Sequence, residues 1–332
     1  MKMERHVSCM NDGETDMKWG ILATGNIAHK FASTLRKMED ETLAACASRS
    51  MEKAEAFAQE FGIPKCFGSY EELVRCPDVE AVYVASPNGL HPEHVRLCLN
   101  GGKHVLCEKP LTVSQALSEE LYGLAAAKNR FLMEGFWIRF LPLYEELQSV
   151  IKSGTIGEVV SVECSYGFVS SGPRRFTKLD PVIGGGALMD IGIYCLGFLH
   201  MMHAGEMHWK QGSVFRNEYG TDEESSFDIA WSDGCRGHVD LSLKREMKRT
   251  GRIAGTKGEI ILPDFQQAVT AEIKPYEGEA FVIERPVEIN GFEYEIRECS
   301  ACVKNGRNAS SVYTPEESIS LIRLMDEIRA SW

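Results

Sequence analysis

The chain has 332 residues, of which 44% are hydrophobic and 25% charged, and its formal net charge is -12. That length suits two domains, each able to bury a core of its own. The acidic balance, with no Lys/Arg run, argues against a nucleic-acid partner. Residues 1–17 are polar and lack an apolar signal region, so they read as a flexible tail rather than a leader or anchor. No run of about 18 apolar residues is expected anywhere in the chain, so nothing is expected to span a membrane. Eleven cysteines without a secretory signal point to reduced thiols in a cytoplasmic protein.

From residue 18 to 135 short apolar strands alternate with helices. Strands are expected at Lys18–Ala23, Thr42–Ala47, Ala81–Ala85, His104–Cys107 and Phe131–Glu134. Helices are expected at Asn26–Met38, Glu52–Phe61, after Ser69, at Pro92–Asn100 and at Ser114–Asn129. Fully apolar strands joined by helices imply a parallel, doubly wound Rossmann sheet covered on both faces. After Trp137 the pattern changes. A helix at Tyr144–Lys152 and a long strand at Glu158–Phe168 precede the run Gly184–Gly185–Gly186, which opens an apolar helix reaching Met202. From Met207 to about Glu284 the period is two: Phe227, Ile229 and Trp231 alternate with Ser226, Asp228 and Ala230. Two helices close the chain, Phe292–Val303 and Pro315–Ala330. Residues 136–332 therefore read as an α+β domain on a mostly antiparallel sheet with one open face.

The first strand–helix junction is Ala23-Thr24-Gly25-Asn26-Ile27-Ala28. It follows the G-x-G-x-x-G/A dinucleotide fingerprint, with Ala23 in the first glycine position. Gly25 allows a pyrophosphate to approach the backbone, and the helix start offers free N–H groups. The second strand ends in Ala47-Ser48-Arg49-Ser50. A carboxylate there would hold the ribose hydroxyls of NAD. Ser48 and Arg49 instead suit a 2′-phosphate, so NADP(H) is expected over NAD(H).

Two further loops leave the carboxyl edge of the same sheet, where ligands bind in such folds: Ser86-Pro87-Asn88-Gly89-Leu90-His91 and Glu108-Lys109-Pro110. Cys299 and Cys302 form a lone CxxC, and His200 and His203 lack the glutamate of a zinc helix, so no metal site is expected.

With these segments in view, the chain resembles the Gfo/Idh/MocA oxidoreductases from about Lys18 to its end. The matching stretches are ILATGNIA, ASPNGLH, CEKPL and GGGALMDIGIY. MEGFWIRFLP and DIGIY are most similar to the branch of dimeric dihydrodiol dehydrogenase and NADP-dependent D-xylose dehydrogenase. Cofactor contacts are expected at Thr24, Gly25, Asn26, Ile27, Ser48, Arg49, Ser86, Asn88 and His91, and the resemblance adds Glu108, Lys109 and Arg139. It implies Lys109, Asp190 and Tyr194 as catalytic residues, with Tyr194 the acid/base and a nearby Lys109 lowering its pKa. Trp137 and Tyr166 are expected to face substrate. Arg175 lies in a polar loop that either lines the substrate mouth or is simply solvated. The activity implied is hydride transfer between NADP(H) and a CH–OH group of a sugar, polyol or vicinal diol. The alternative is a non-catalytic NADP-binding sensor. A homodimer or higher oligomer through the open sheet face is expected.

Overall fold

The computed structural model describes residues 16–332. The expected flexible tail thus lies outside the described residues, except at its end: Met17 is buried and opens the first strand. The strands of the first domain are β1 Met17–Leu22, β2 Glu41–Ala47, β3 Lys65–Phe67, β4 Ala81–Val84, β5 His104–Glu108 and β6 Leu132–Gly135. Between them run α1 Asn26–Leu35, α2 Met51–Phe61, α3 Tyr70–Arg75, α4 His91–Asn100 and α5 Gln115–Ala127. All strand pairs in this sheet are parallel, in the order β3-β2-β1-β4-β5-β6. The order reverses direction between β1 and β4, and the crevice above that switch point is where such sheets bind ligands. β4 is buried along its whole length, as a strand covered on both faces must be.

The second domain begins with α6 Pro142–Lys152, β7 Val159–Gly167, α7 Pro173–Leu179 and α8 Ile193–Met202. It continues through β8 Met207–Arg216, β9 Asp222–Trp231, β10 Arg236–Ser242, β11 Gly251–Gly255, β12 Gly258–Leu262, β13 Thr270–Pro275 and β14 Phe281–Glu284, and ends with α9 Phe292–Lys304 and α10 Pro315–Ala330. The eight strands form one sheet in the order β14-β13-β12-β11-β7-β10-β9-β8. It is antiparallel except where β10 runs parallel to β7. On β9 and β10 buried and half-buried residues alternate, so the sheet has one apolar face on the core and one polar face, which carries Asp228, His238 and Asp240.

Pro181–Met202, a 3-10 turn and the glycine run leading into α8, is apolar and long enough to cross a membrane by length and composition, which corrects the expectation that no such run exists. Its most apolar window is 78% buried inside the protein, so this is the central core helix. α10 returns to the first domain, where Asp326 accepts from the backbone N–H of Gln115 and Ser318 hydrogen-bonds the buried Glu134 carboxylate.

Candidate active site

The phosphate loop is built as the fingerprint requires. Ala23 adopts φ +74°, the left-handed conformation that makes glycine usual at this place. A Cβ at Gly25 would meet nothing within 4 Å, so the loop has open space on its outer side. The start of α1 has no side-chain cap and no acidic residue in its first turn. Its first N–H groups are therefore left for an anion. At the end of β2 Ser48 is buried and Arg49 exposed, beside Tyr70: burial raises the Tyr70 phenol, and Arg49 opposes the rise. These residues fit a dinucleotide that carries a 2′-phosphate.

A cavity of about 350 Å³ opens next to this loop, bounded by Ile27 of the loop itself. Ser86 and Asn88 reach it from the end of β4, and Glu108 and Lys109 from the end of β5. Tyr166 and Phe168 come from the end of β7, Lys178 from α7, Asp190, Ile191 and Tyr194 from the turn into α8, and Gln266 from the β12–β13 connection. Both domains thus build the cleft. The walls meet closely: Asn88 Nδ2 donates to the Gly184 carbonyl at 3.3 Å, and a Cβ on Gly89 would lie 2.7 Å from the Val182 carbonyl oxygen.

Lys109 Nζ donates to the Asp190 backbone carbonyl at 2.6 Å and lies 3.9 Å from the Asp190 carboxylate. The same carboxylate is held directly by Lys178. Burial works to raise Asp190, but the ammonium groups of Lys178 and Lys109 overcome it and hold the carboxyl below its usual range. Asp190 sits in a wider π-type turn, Leu188–Gly192, a feature frequent at functional sites. Burial lowers the Lys109 pKa, with Asp190 and Glu108 opposing.

Tyr194 is buried, and its hydroxyl accepts a hydrogen bond from Trp137 Nε1 at 3.1 Å. Lys109 Nζ lies 4.5 Å from the centre of the Tyr194 ring, over its face. Burial pushes the phenol well above its ordinary value, and Glu108 adds to the rise. This corrects the expected lowering by Lys109: the ammonium meets the π-face rather than the oxygen, so it gives a phenolate no ion pair.

Four expected contacts lie elsewhere. Arg139 pairs with Glu317 at 3.7 Å and lines a separate groove with Gln148 and His200. Arg175 pairs with Glu218 and Glu223, each at 3.1 Å, and does not line the cleft. Trp137 lies behind Tyr194, buried against Phe292, so it supports the hydroxyl and shows no face to the cavity. His91 is fully buried, with its ring nitrogens 2.8 Å and 2.7 Å from the Pro110 and Ser86 carbonyls. Burial lowers its pKa to about 4, so the ring is neutral and its single N–H donates to one of these two carbonyls. Glu108 is likewise buried: its carboxylate accepts from Tyr83 and from the Lys109 backbone N–H. Sequence reasoning missed Ile191, beside Asp190, and also Lys178, Phe168 and Gln266, which reach the cavity only through the tertiary fold.

Cys299 and Cys302 are buried in α9, His200 pairs with Glu317 at 3.5 Å, and His203 with Asp233 at 2.8 Å.

Residues 17–136 match the oxidoreductase family model with an NAD-binding Rossmann fold, and residues 144–261 match the Gfo/Idh/MocA C-terminal domain. The trans-1,2-dihydrobenzene-1,2-diol dehydrogenase of Xenopus laevis is 36% identical over 323 residues, covering 93% of this chain and 96% of that protein. The enzyme of the same name from Homo sapiens is 33% identical, covering 94% and 96%. Among solved structures, an aldose-aldose oxidoreductase from Caulobacter crescentus complexed with glycerol superposes with a TM-score of 0.84 at 25% identity, covering 95% of this chain and 97% of that one. A 3-ketoreductase from Actinomadura kijaniata, in complex with NADP and TDP-benzene, gives a TM-score of 0.87 at 24% identity over 95% and 98%, which shows the shared fold. The chain belongs to the Gfo/Idh/MocA oxidoreductase family.

Proposed function

We propose that this protein is an NADP(H)-dependent oxidoreductase that interconverts a CH–OH and a C=O group on a sugar, polyol or vicinal diol. The observation that carries this reading is the convergence of Lys109, Asp190 and Tyr194 on one cavity beside the phosphate loop. About 350 Å³ matches a small ligand, at the lower end of ordinary binding sites. Tyr166 and Phe168 offer aromatic surface, and the cavity also holds groups able to hydrogen-bond several hydroxyls.

Thr24, Gly25 and Asn26 would hold the pyrophosphate, and Ser48 with Arg49 the 2′-phosphate. When bound, NADP(H) supplies the hydride acceptor or donor. The proton is then the protein's task. Burial destabilises the Lys109 ammonium, so its amine form is within reach as a base. In oxidation Lys109 takes the hydroxyl proton as the C–H electron pair departs. In reduction it returns that proton to the forming alkoxide. Tyr194 stays a neutral phenol, because burial disfavours its anion. Its oxygen already accepts from Trp137, which leaves its own O–H to donate to the reacting oxygen. Weight thus moves from Tyr194 to Lys109 as the proton-exchanging group.

The oligomeric reading is also a proposal. The polar sheet face is indented near Glu163, Asp228 and His238, and we infer that a second copy covers it. A light-scattering mass near twice 37.1 kDa supports this, and a mass near 37.1 kDa at micromolar concentration contradicts it.

The test of function is nicotinamide absorbance with NADP⁺ and a panel containing trans-1,2-dihydrobenzene-1,2-diol, D-xylose and neutral polyols, with the matching carbonyls and NADPH for the reverse direction. Turnover of at least one member supports the reading. Tight NADPH binding with no turnover in either direction would favour the sensor instead.

A further inference from the structure

The cleft holds a cation with no part in the reaction as described. Lys178 stands on α7, a short helix between the end of β7 and the glycine run. Its ammonium contacts the Asp190 carboxylate and lies 5.3 Å from the centre of the Phe168 ring. Lys109, on the opposite wall, is 3.9 Å from the other oxygen of that carboxylate. One carboxylate therefore stands between two ammonium groups, and it leans toward Lys178.

The remaining charges around Lys109 are committed elsewhere. Glu108 accepts from Tyr83 and the Lys109 backbone N–H. Glu134 accepts from the Leu111 N–H at 2.9 Å, from the Tyr313 hydroxyl at 3.0 Å and from Ser318. His91 is neutral, and the Tyr194 ring presents its face. Among the described residues, Asp190 is thus the carboxylate nearest to forming an ion pair with the Lys109 side chain, and Lys178 competes for it.

Resting on the reading of Lys109 as the proton-exchanging group, we propose that Lys178 is a positioning residue that draws the Asp190 carboxylate away from Lys109 and so sets the proton affinity of the reacting amine. Two physical effects act in the same direction. A second ammonium repels the first, and a carboxylate held by another cation neutralises Lys109 less. Both favour the amine. Without Lys178, Asp190 would be free to pair with Lys109 and keep it protonated. The proton is neither created nor consumed by Lys178; only the pH at which Lys109 releases it changes.

The test compares wild type, Lys178→Met and Lys178→Arg. Two readouts are followed against pH: the rate of oxidation of whichever panel alcohol turns over, and the acetylation of Lys109 by acetic anhydride, read by mass spectrometry of its peptide. NADPH fluorescence checks that each variant is folded and binds cofactor. Lys178→Met should move both midpoints upward by about one pH unit or more, the size expected when an opposite charge is restored nearby. Lys178→Arg should restore the wild-type midpoint. A purely structural role would lower the rate at every pH and leave both midpoints in place, and that result would overturn the proposal. If Lys109→Met retains turnover, the reading of Lys109 fails instead. If Lys109→Met is inactive while the labelling midpoint ignores Lys178, only the role of Lys178 fails. Labelling needs no substrate, so it decides the matter even if no panel alcohol reacts.

Discussion

The two walls of the cleft are built in different ways. The Rossmann wall is set by its backbone: the buried His91 ring lies between the Pro110 and Ser86 carbonyls of the β5 and β4 loops, and Lys109 follows directly from the last residue of β5. The wall from the second domain is held by side chains. Trp137 fixes the Tyr194 hydroxyl, Lys178 fixes the Asp190 carboxylate, and residues from β7, α7 and the β12–β13 connection supply the rest. A backbone-built wall can carry the same cofactor chemistry through many sequences, because loop geometry needs few side chains. A side-chain-built wall changes with single substitutions, which suits it to choosing the substrate. The cofactor wall should therefore respond to substitution in affinity for NADP(H), and the substrate wall in turnover.

The largest effect should come from Lys109, which belongs to the first wall but projects into the second. Lys109→Met should reduce turnover about 10³-fold, within the range for loss of a general acid–base, while NADPH fluorescence titration shows binding preserved. On the opposite wall, Tyr194→Phe removes one hydrogen-bond donor and should reduce kcat about 10²-fold with little change in cofactor affinity. A loss as large as that of Lys109→Met, with the pH profile flattened, would return the acid–base role to Tyr194. Arg49→Ala should weaken NADPH binding about tenfold, the value of one charge-assisted hydrogen bond, and leave NADH binding as it was. Equal losses for both nucleotides would mean that Arg49 does not meet the 2′-phosphate. The smallest effect is expected at Arg139, which is paired with Glu317 outside the cleft. Arg139→Ala should alter NADPH affinity by no more than about twofold, as for removal of a partly exposed ion pair.

The same contrast explains what was legible in the sequence. Motifs that act through backbone were readable: the turn at Ala23–Ala28, the strand-end loops at Ser86 and Glu108, and the order of β and α units. The acid and phenol pair Asp190 and Tyr194 was found from the family resemblance, and the structure brings both to the cavity. Side-chain direction was not readable. Trp137 and Arg139 are close in sequence, yet one turns inward behind Tyr194 and the other faces a groove shared with His200. Arg175 and Lys178 lie in one segment that read as a loop. The segment is the helix α7, which aims Lys178 into the cleft and Arg175 at Glu218 and Glu223. Gln266 lies 72 or more residues along the chain from the other cavity residues, and no local pattern marks it. β3 spans three residues, too few to show a period of two. The parallel pairing of β10 with β7 depends on contacts distant in sequence, which alternation alone does not specify.

The expected lowering of the Tyr194 pKa fails for a physical reason. The family resemblance implies a lysine near the phenol but carries no information on burial. In the structure burial favours the neutral form of both groups: it lowers Lys109 and raises Tyr194. Of the two, only Lys109 is brought nearer to its proton-accepting form at neutral pH.

The most direct test of this account is the pH dependence of alcohol oxidation, measured at saturating NADP⁺ for wild type and for Lys109→Met. A lysine with a lowered pKa loses its proton before its ordinary value of 10.5, so the wild-type rate should rise with pH and reach half its plateau below that value. The residual rate of Lys109→Met should lack this limb. The same limb at the same pH in Lys109→Met would show that another group exchanges the proton, and would contradict the assignment of Lys109.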